Sequence, residues 1–180
     1  MSANTQRPAV QESYPDTRVA GQPGQLADMR SVVRDAIGSY TTQTDVYVGR
    51  AVVRGAVSVD PFDLREFMVK APESTSEGKD LVGIVAYTYA AELDAEGHAY
   101  VGEKSLVGVI EPGMNVLVYA LIPKASVIAA QDKVYVAVQA ANAAAIPIGA
   151  FANQAGEGLI EWPLATWHKQ VGPQLAVIKL

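Results

Sequence analysis

The sequence predicts an all-β fold, a jelly-roll-like β-sandwich or barrel that carries an extended N-terminal arm. Short runs of β-branched and aromatic residues recur from residue 46 to the C-terminus, and Gly and Pro turns separate them. The first residues show no such period and place Pro8, Pro15 and Pro23 among polar side chains. We therefore predict an arm over residues 1–25 and one β-sandwich domain over residues 26–180.

The segment after the arm fits two kinds of secondary structure. Its apolar residues, from Leu26 to Tyr40, recur at a spacing that suits one face of a helix. The adjacent Val32 and Val33, followed by Gly38, suit a strand equally well. Helix and strand both remain open for residues 26–40.

The strands predicted next share a high β propensity and are bounded by turn residues. In chain order they are Val46–Arg54, Glu66–Ala71, Leu81–Ala90, Ser105–Ile110, Asn115–Leu121 and Lys133–Gln139. The tyrosines expected on these strands, in core or interface packing, are Tyr87, Tyr89, Tyr119 and Tyr135. Many short strands with frequent turns indicate a sandwich or a barrel.

A β-hairpin is predicted at the C-terminus. Leu164–Trp167 supplies a short strand, Gly172-Pro173 supplies the turn, and Gln174–Leu180 supplies the final strand. We expect Leu175, Val177 and Leu180 to share one face, which Trp167 covers from the neighbouring strand.

Two tryptophans flank the start of this hairpin, Trp162 and Trp167. Large aromatic residues anchor many protein interfaces, and they also fill cores. Both residues are therefore candidates for structural or interface aromatics, with burial under the hairpin as the simpler explanation.

Charge is distributed unevenly along the chain. The formal net charge of −5 argues against general nucleic-acid binding. Arginine forms bidentate hydrogen bonds with carboxylates, and the arginines in or beside the arm are Arg7, Arg18, Arg30 and Arg34. We predict that they contact acidic surfaces of neighbouring molecules; pairing within the domain is the alternative.

The sequence supplies little chemistry for catalysis. It has no cysteine, which excludes disulfides, thiol catalysis and Cys-based zinc sites. Asp94, Glu96 and His98 alternate in a way that could hold a metal ion, but Gly97 favours an exposed hairpin tip. No nucleophile elbow, phosphate loop or dinucleotide fingerprint occurs. We predict no catalytic, cofactor-binding or metal-binding residues, and no enzyme activity.

Membrane association is not expected either. The polar start lacks the apolar core of a signal peptide, and no apolar run reaches membrane-spanning length.

The order of the turn and strand motifs resembles the cement, or decoration, proteins of tailed bacteriophage heads. The matching motifs are Gln22–Asp28 (QPGQLAD), Gly49–Val52 (GRAV), Leu81–Ile84 (LVGI), Pro112-Gly113 before Val116–Val118, Ala165–Trp167 (ATW) and Leu175–Val177 (LAV). The resemblance spans about residues 22–180. It does not cover the first twenty residues, and the Ala-rich region 140–159 has little to match.

This resemblance implies a structural function. A cement protein binds the capsid exterior across major capsid protein subunits and holds the shell against the pressure of packaged DNA. The arm arginines then become capsid-contact candidates. The resemblance also implies self-association, a homodimer rather than a homotrimer, and synthesis in the host cytoplasm. The alternative is a small β-sandwich module of a virion that binds a carbohydrate or a receptor.

Overall fold

The computed structural model describes residues 21–27, 36–57, 68–113, 115–123, 126–139 and 146–180. These residues form β-strands and no α-helix, which confirms the predicted all-β class. The strands are β1 (Ile37–Thr42), β2 (Val46–Tyr47), β3 (Ala51–Arg54), β4 (Met68–Lys70), β5 (Leu81–Val85), β6 (Glu92–Leu93), β7 (Ala99–Val101), β8 (Leu106–Ile110), β9 (Leu117–Leu121), β10 (Lys133–Ala137), β11 (Phe151–Ala152), β12 (Leu159–Gly172) and β13 (Leu175–Lys179). A short 3-10 helix, Gly78–Asp80, precedes β5. Within these ranges, no helix has the length and apolarity that crossing a membrane requires.

Five strands close into a small barrel in the order β1-β4-β3-β5-β8. β1 and β4 run parallel, and the other neighbours run antiparallel. A strand that is covered on both faces needs consecutive apolar residues, and β3 has them in Ala51, Val52 and Val53, all buried. Val52 packs in one cluster with Val85 and Val109, whereas its two neighbours join a second cluster.

A larger sheet, ordered β11-β10-β12-β13-β9, packs beside the barrel. The main core lies between them, because Ile84 and Ile110 of the barrel share one apolar cluster with Trp162, Trp167 and Ile178 of the sheet. A third sheet, ordered β2-β7-β6, contributes Val46 and Val101 to the other apolar cluster, the one that contains Val52 of the barrel. These layers agree with a β-sandwich, while jelly-roll connectivity stays a prediction.

The predicted C-terminal hairpin is confirmed. β12 and β13 pair antiparallel, and Trp167 lies directly opposite Ile178. The residues near the end of the chain that join the main core are Ala176, Ile178 and Leu180. The expectation that Leu175 and Val177 share the core-facing side is therefore wrong, because side chains alternate with a period of two and the register places Ile178 across from Trp167.

The single strand predicted over Val46–Arg54 is interrupted by a turn. Gly49 adopts a φ of 74° between β2 and β3. A Cβ at Gly49 would lie 2.4 Å from Cβ of Pro23, so the turn brings the chain against the N-terminal segment. Farther upstream, the open choice for residues 26–40 is decided in favour of a strand from Ile37 onward, and residues 28–35 lie outside the described ranges.

The strand predicted over Leu81–Ala90 ends early, at Val85. The backbone N–H of Tyr87 donates to the carbonyl of Gly24 rather than to a neighbouring strand. Tyr87 and Tyr89 consequently lie on a loop, which corrects the expectation that they belong to a strand.

The N-terminal segment that the structure describes is attached to the larger sheet. Gly24 donates its N–H to the carbonyl of Tyr119 over 2.8 Å, and Tyr119 donates back to Gln25 over 2.9 Å. Ala27 continues the pattern with a 2.7 Å hydrogen bond to the carbonyl of Leu117. Residues 24–27 thus cover the edge of β9, which would otherwise offer unpaired backbone groups. The arm boundary at residue 25 stays a prediction, since residues 1–20 lie outside the described ranges.

Candidate interaction surface

The arginines predicted to make external contacts are not among the described residues. Arg7 and Arg18 precede residue 21, and Arg30 and Arg34 fall within residues 28–35. Their role as contact residues therefore stays a prediction.

The two tryptophans lie in the core between the barrel and the sheet. Trp162 and Trp167 are each 1% exposed. Phe151 connects them, since it stacks on Trp162 and meets Trp167 edge-on, both with ring centroids 6.4 Å apart. Trp167 Nε1 donates a long 3.4 Å hydrogen bond to the carbonyl of Ala152. In this structure both rings pack against other parts of the same chain.

The candidate metal ligands form a tight turn at the tip of the small sheet. One ligand atom from each of Asp94, Glu96 and His98 lies within 4.8 Å of the others. Oδ1 of Asp94 accepts from the backbone N–H groups of Glu96 and His98, at 3.0 and 2.7 Å, and Oδ2 lies 3.3 Å from Nδ1 of His98. Partial burial raises the pKa of Asp94, but the His98 hydrogen bonds outweigh it and lower that pKa overall. These hydrogen bonds account for the turn without an ion.

Beside this turn lies Arg50, held between β2 and β3. Its guanidinium carbon sits 3.9 Å from the ring centroid of Tyr47, a cation–π contact. Burial lowers the pKa of Arg50, and the nearby Tyr47 and Asp94 partly offset that effect. The guanidinium remains charged at any physiological pH. The protein therefore holds a positive charge in a partly dehydrated position.

Arg50 stands at the centre of a surface groove with two lobes. The larger lobe has a volume of about 330 Å³ and an apolar lining that includes Leu121, Ile122 and Phe151. The smaller lobe has a volume of about 210 Å³ and extends toward Tyr87. The residues that line both lobes are Arg50, His98 and Leu121. The groove thus combines apolar walls with one cationic side chain.

Half-buried Tyr87, which lines the smaller lobe, packs against the exposed Tyr89. Tyr89 is 95% exposed, and its ring packs edge-on against Tyr87 with a centroid distance of 5.2 Å. The hydrogen bond from Tyr87 N–H to Gly24 fixes the start of this loop. Exposed tyrosines on a fixed backbone are typical of protein-binding surfaces.

Sequence reasoning did not identify this groove. It treated Arg50 only as part of a strand motif and directed attention to the arm arginines. The groove joins residues from the turn between β2 and β3, the turn before β7, the end of β9 and the loop before β11, which are distant along the chain. The one local signal was an arginine that directly follows Gly49 in an otherwise apolar run.

The surface of this all-β fold carries a groove with apolar walls and one cationic side chain, features that suit contact with another macromolecule. The family model for "Structural cement protein (E217 gp24/Pam3 gp6)" matches residues 10–180. The chain therefore belongs to this family of phage structural cement proteins, as its motifs predicted. It is a capsid-associated structural protein of a phage virion, and the family is not an enzyme class.

A solved capsid structure has a similar fold. A chain of "The capsid of Myoviridae Phage XM1" aligns with a TM-score of 0.65 and 13% sequence identity, over 95% of this chain and 96% of that one. At this identity the likeness concerns the fold. No curated protein matches the sequence.

Proposed function

We propose that this protein binds the outer surface of a phage head, bridges neighbouring major capsid protein subunits and stabilises the shell without catalysing a reaction. The observation that carries the proposal is the family match over residues 10–180. Bridging adds stability because a clamp that contacts two subunits must be broken before they separate. Many copies on a symmetric lattice add avidity, so each contact can be modest.

The charge of the chain supports a protein partner. A net charge of −5 disfavours binding to the phosphate backbone of the packaged DNA. We propose that the protein is made in the host cytoplasm, joins the capsid exterior, and needs neither nucleic acid nor membrane for attachment.

Self-association completes the proposal. We expect a homodimer rather than a homotrimer on the shell, because the resemblance to cement proteins implies pairing. A dimer joins two copies of each contact surface in one unit, so that its attachment to adjacent subunits gains avidity. Sedimentation of the purified protein distinguishes the two states.

A reconstitution experiment tests the proposal. Purified protein is added to expanded shells that lack it, and occupancy is measured by sedimentation and gel densitometry. We expect saturable binding and a higher temperature of shell disruption than for undecorated shells. Shells that bind no protein, or that bind it without gaining thermal stability, would contradict the function. The carbohydrate- or receptor-binding alternative is not favoured by the family match.

A further inference from the structure

The groove centred on Arg50 is the strongest binding feature in the described part of the chain. Its larger lobe is formed by apolar side chains that are fixed by the core, because Ile122 and Phe151 are 4% and 1% exposed. Leu121 lines both lobes and remains 46% exposed. A preformed apolar lobe loses little conformational entropy when a partner side chain enters it.

Toward the residues that the structure describes, Arg50 uses little of its hydrogen-bonding capacity in this groove. A guanidinium offers five N–H donors. Among the described residues, the hydrogen bond found for Arg50 is a long one, 3.5 Å from Nη1 to the carbonyl of Ile148. The ring of Tyr47 fixes the guanidinium from one side. The remaining donors suit a planar acceptor, and a carboxylate is the group that pairs with arginine in bidentate fashion.

The nearby acidic group does not fill this role. Asp94 is engaged by the backbone N–H groups of Glu96 and His98 and by the His98 ring. No ion pair of Arg50 occurs within the ranges that the structure describes. Asp94 instead holds His98, which lines both lobes of the groove together with Arg50.

We propose that this groove receives a segment of the major capsid protein in which a carboxylate side chain lies beside apolar residues. The carboxylate pairs with Arg50, and an apolar side chain enters the larger lobe against Leu121 and Phe151. Tyr89 adds exposed aromatic area through its contact with Tyr87, which lines the smaller lobe. This inference rests on the proposed function, and it names the contact that attaches the described domain to the shell.

Paired substitutions test the contact. Arg50→Gln and Leu121→Ala are compared with two controls. These are Arg54→Gln, at the end of β3, and Leu106→Ala, a 69% exposed leucine of the barrel. Binding to undecorated shells is titrated for each, after thermal melting shows that each variant folds. Losing a charge-assisted hydrogen bond or a buried leucine side chain should weaken binding about tenfold or more. The two controls should bind like the parent.

Salt and a conservative variant sharpen the test. The affinity of the parent should fall as salt rises, and that of Arg50→Gln should fall less. Arg50→Lys should recover only part of the affinity, because an ammonium cannot form the bidentate pair. If parent protein binds shells and the Arg50 and Leu121 variants bind equally well, the groove contact is refuted while the cement function stands. If parent protein does not bind, the function itself fails.

A photo-reactive residue in place of Leu121 identifies the occupant. After irradiation of decorated shells, mass spectrometry should locate the cross-link in a major capsid protein segment that contains Asp or Glu. A cross-link to a second copy of this chain, or to a capsid segment without a carboxylate, would overturn the proposal.

Discussion

Replacing Trp167 with alanine should destabilise the whole domain. The ring is 1% exposed, meets Phe151 edge-on and lies across from Ile178 of the last strand. Truncation of a buried tryptophan costs about 3–5 kcal/mol, against a total stability of roughly 5–15 kcal/mol for a domain. For a chain of this size each kcal/mol lowers the melting temperature by about 2–4 °C, so we expect a decrease of about 6–20 °C.

Differential scanning fluorimetry and urea unfolding measure this effect. His168→Ala is the matched control, because His168 is the exposed neighbour on the same strand and its loss should change the melting temperature little. A Trp167→Ala protein that keeps the parent melting temperature but no longer binds shells would refute the reasoning. The ring would then be an interface anchor, and the cement assignment would still stand.

Four further predictions concern two positions of the described domain and the N-terminal part of the chain. Gly24→Ala should destabilise the domain more than Gly97→Ala in urea unfolding. Both glycines have positive φ, but only a Cβ at Gly24 would meet backbone, 2.5 Å from the carbonyl oxygen of Val85. Equal losses of unfolding free energy would contradict this packing. Burial, and then the hydrogen bond to Glu111, raises the pKa of Tyr40 to about 12, above its unfolded value of about 10. The protonated Tyr40 hydroxyl therefore contributes to the unfolding free energy below about pH 10, and this contribution is lost as the pH rises to about 12. The unfolding free energy of the parent should fall more steeply in that window than that of Tyr40→Phe, and parallel curves would refute the assignment. Deleting residues 1–20 should leave the melting temperature nearly unchanged and weaken shell binding; unchanged affinity would exclude the arm as a contact. Glutamine in place of all four arginines in or beside the arm, Arg7, Arg18, Arg30 and Arg34, should weaken shell binding and reduce its salt dependence. Binding that changes neither with salt nor with these substitutions would favour pairing within the domain.

Local chemistry was sufficient to predict several elements. The terminal hairpin followed from Gly172-Pro173 between two apolar runs, and β10 followed from strict alternation after Lys133. The residues that produce such signals lie close together in the sequence, so the prediction does not depend on long-range contacts. The faces of β13 were harder to predict, because the cross-strand register with Trp167 decides them.

Long-range contacts decided what the sequence could not predict. The barrel closes through a parallel pairing of Thr41 with Met68. These residues are distant along the chain, so no local sequence pattern predicts their pairing. The early end of β5 depends on Gly24, which takes the N–H of Tyr87 from a distant part of the chain. The groove at Arg50 could not be predicted for the same reason, since the loops and strand ends that line it meet only after folding.

Near-atomic imaging of decorated phage heads tests the central claim most directly. The account predicts density for this barrel-and-sheet fold on the outer surface, in contact with two adjacent major capsid protein subunits, with Arg50 facing one of them. Density on the inner surface, contact with a single subunit only, or heads that lack the protein would contradict it.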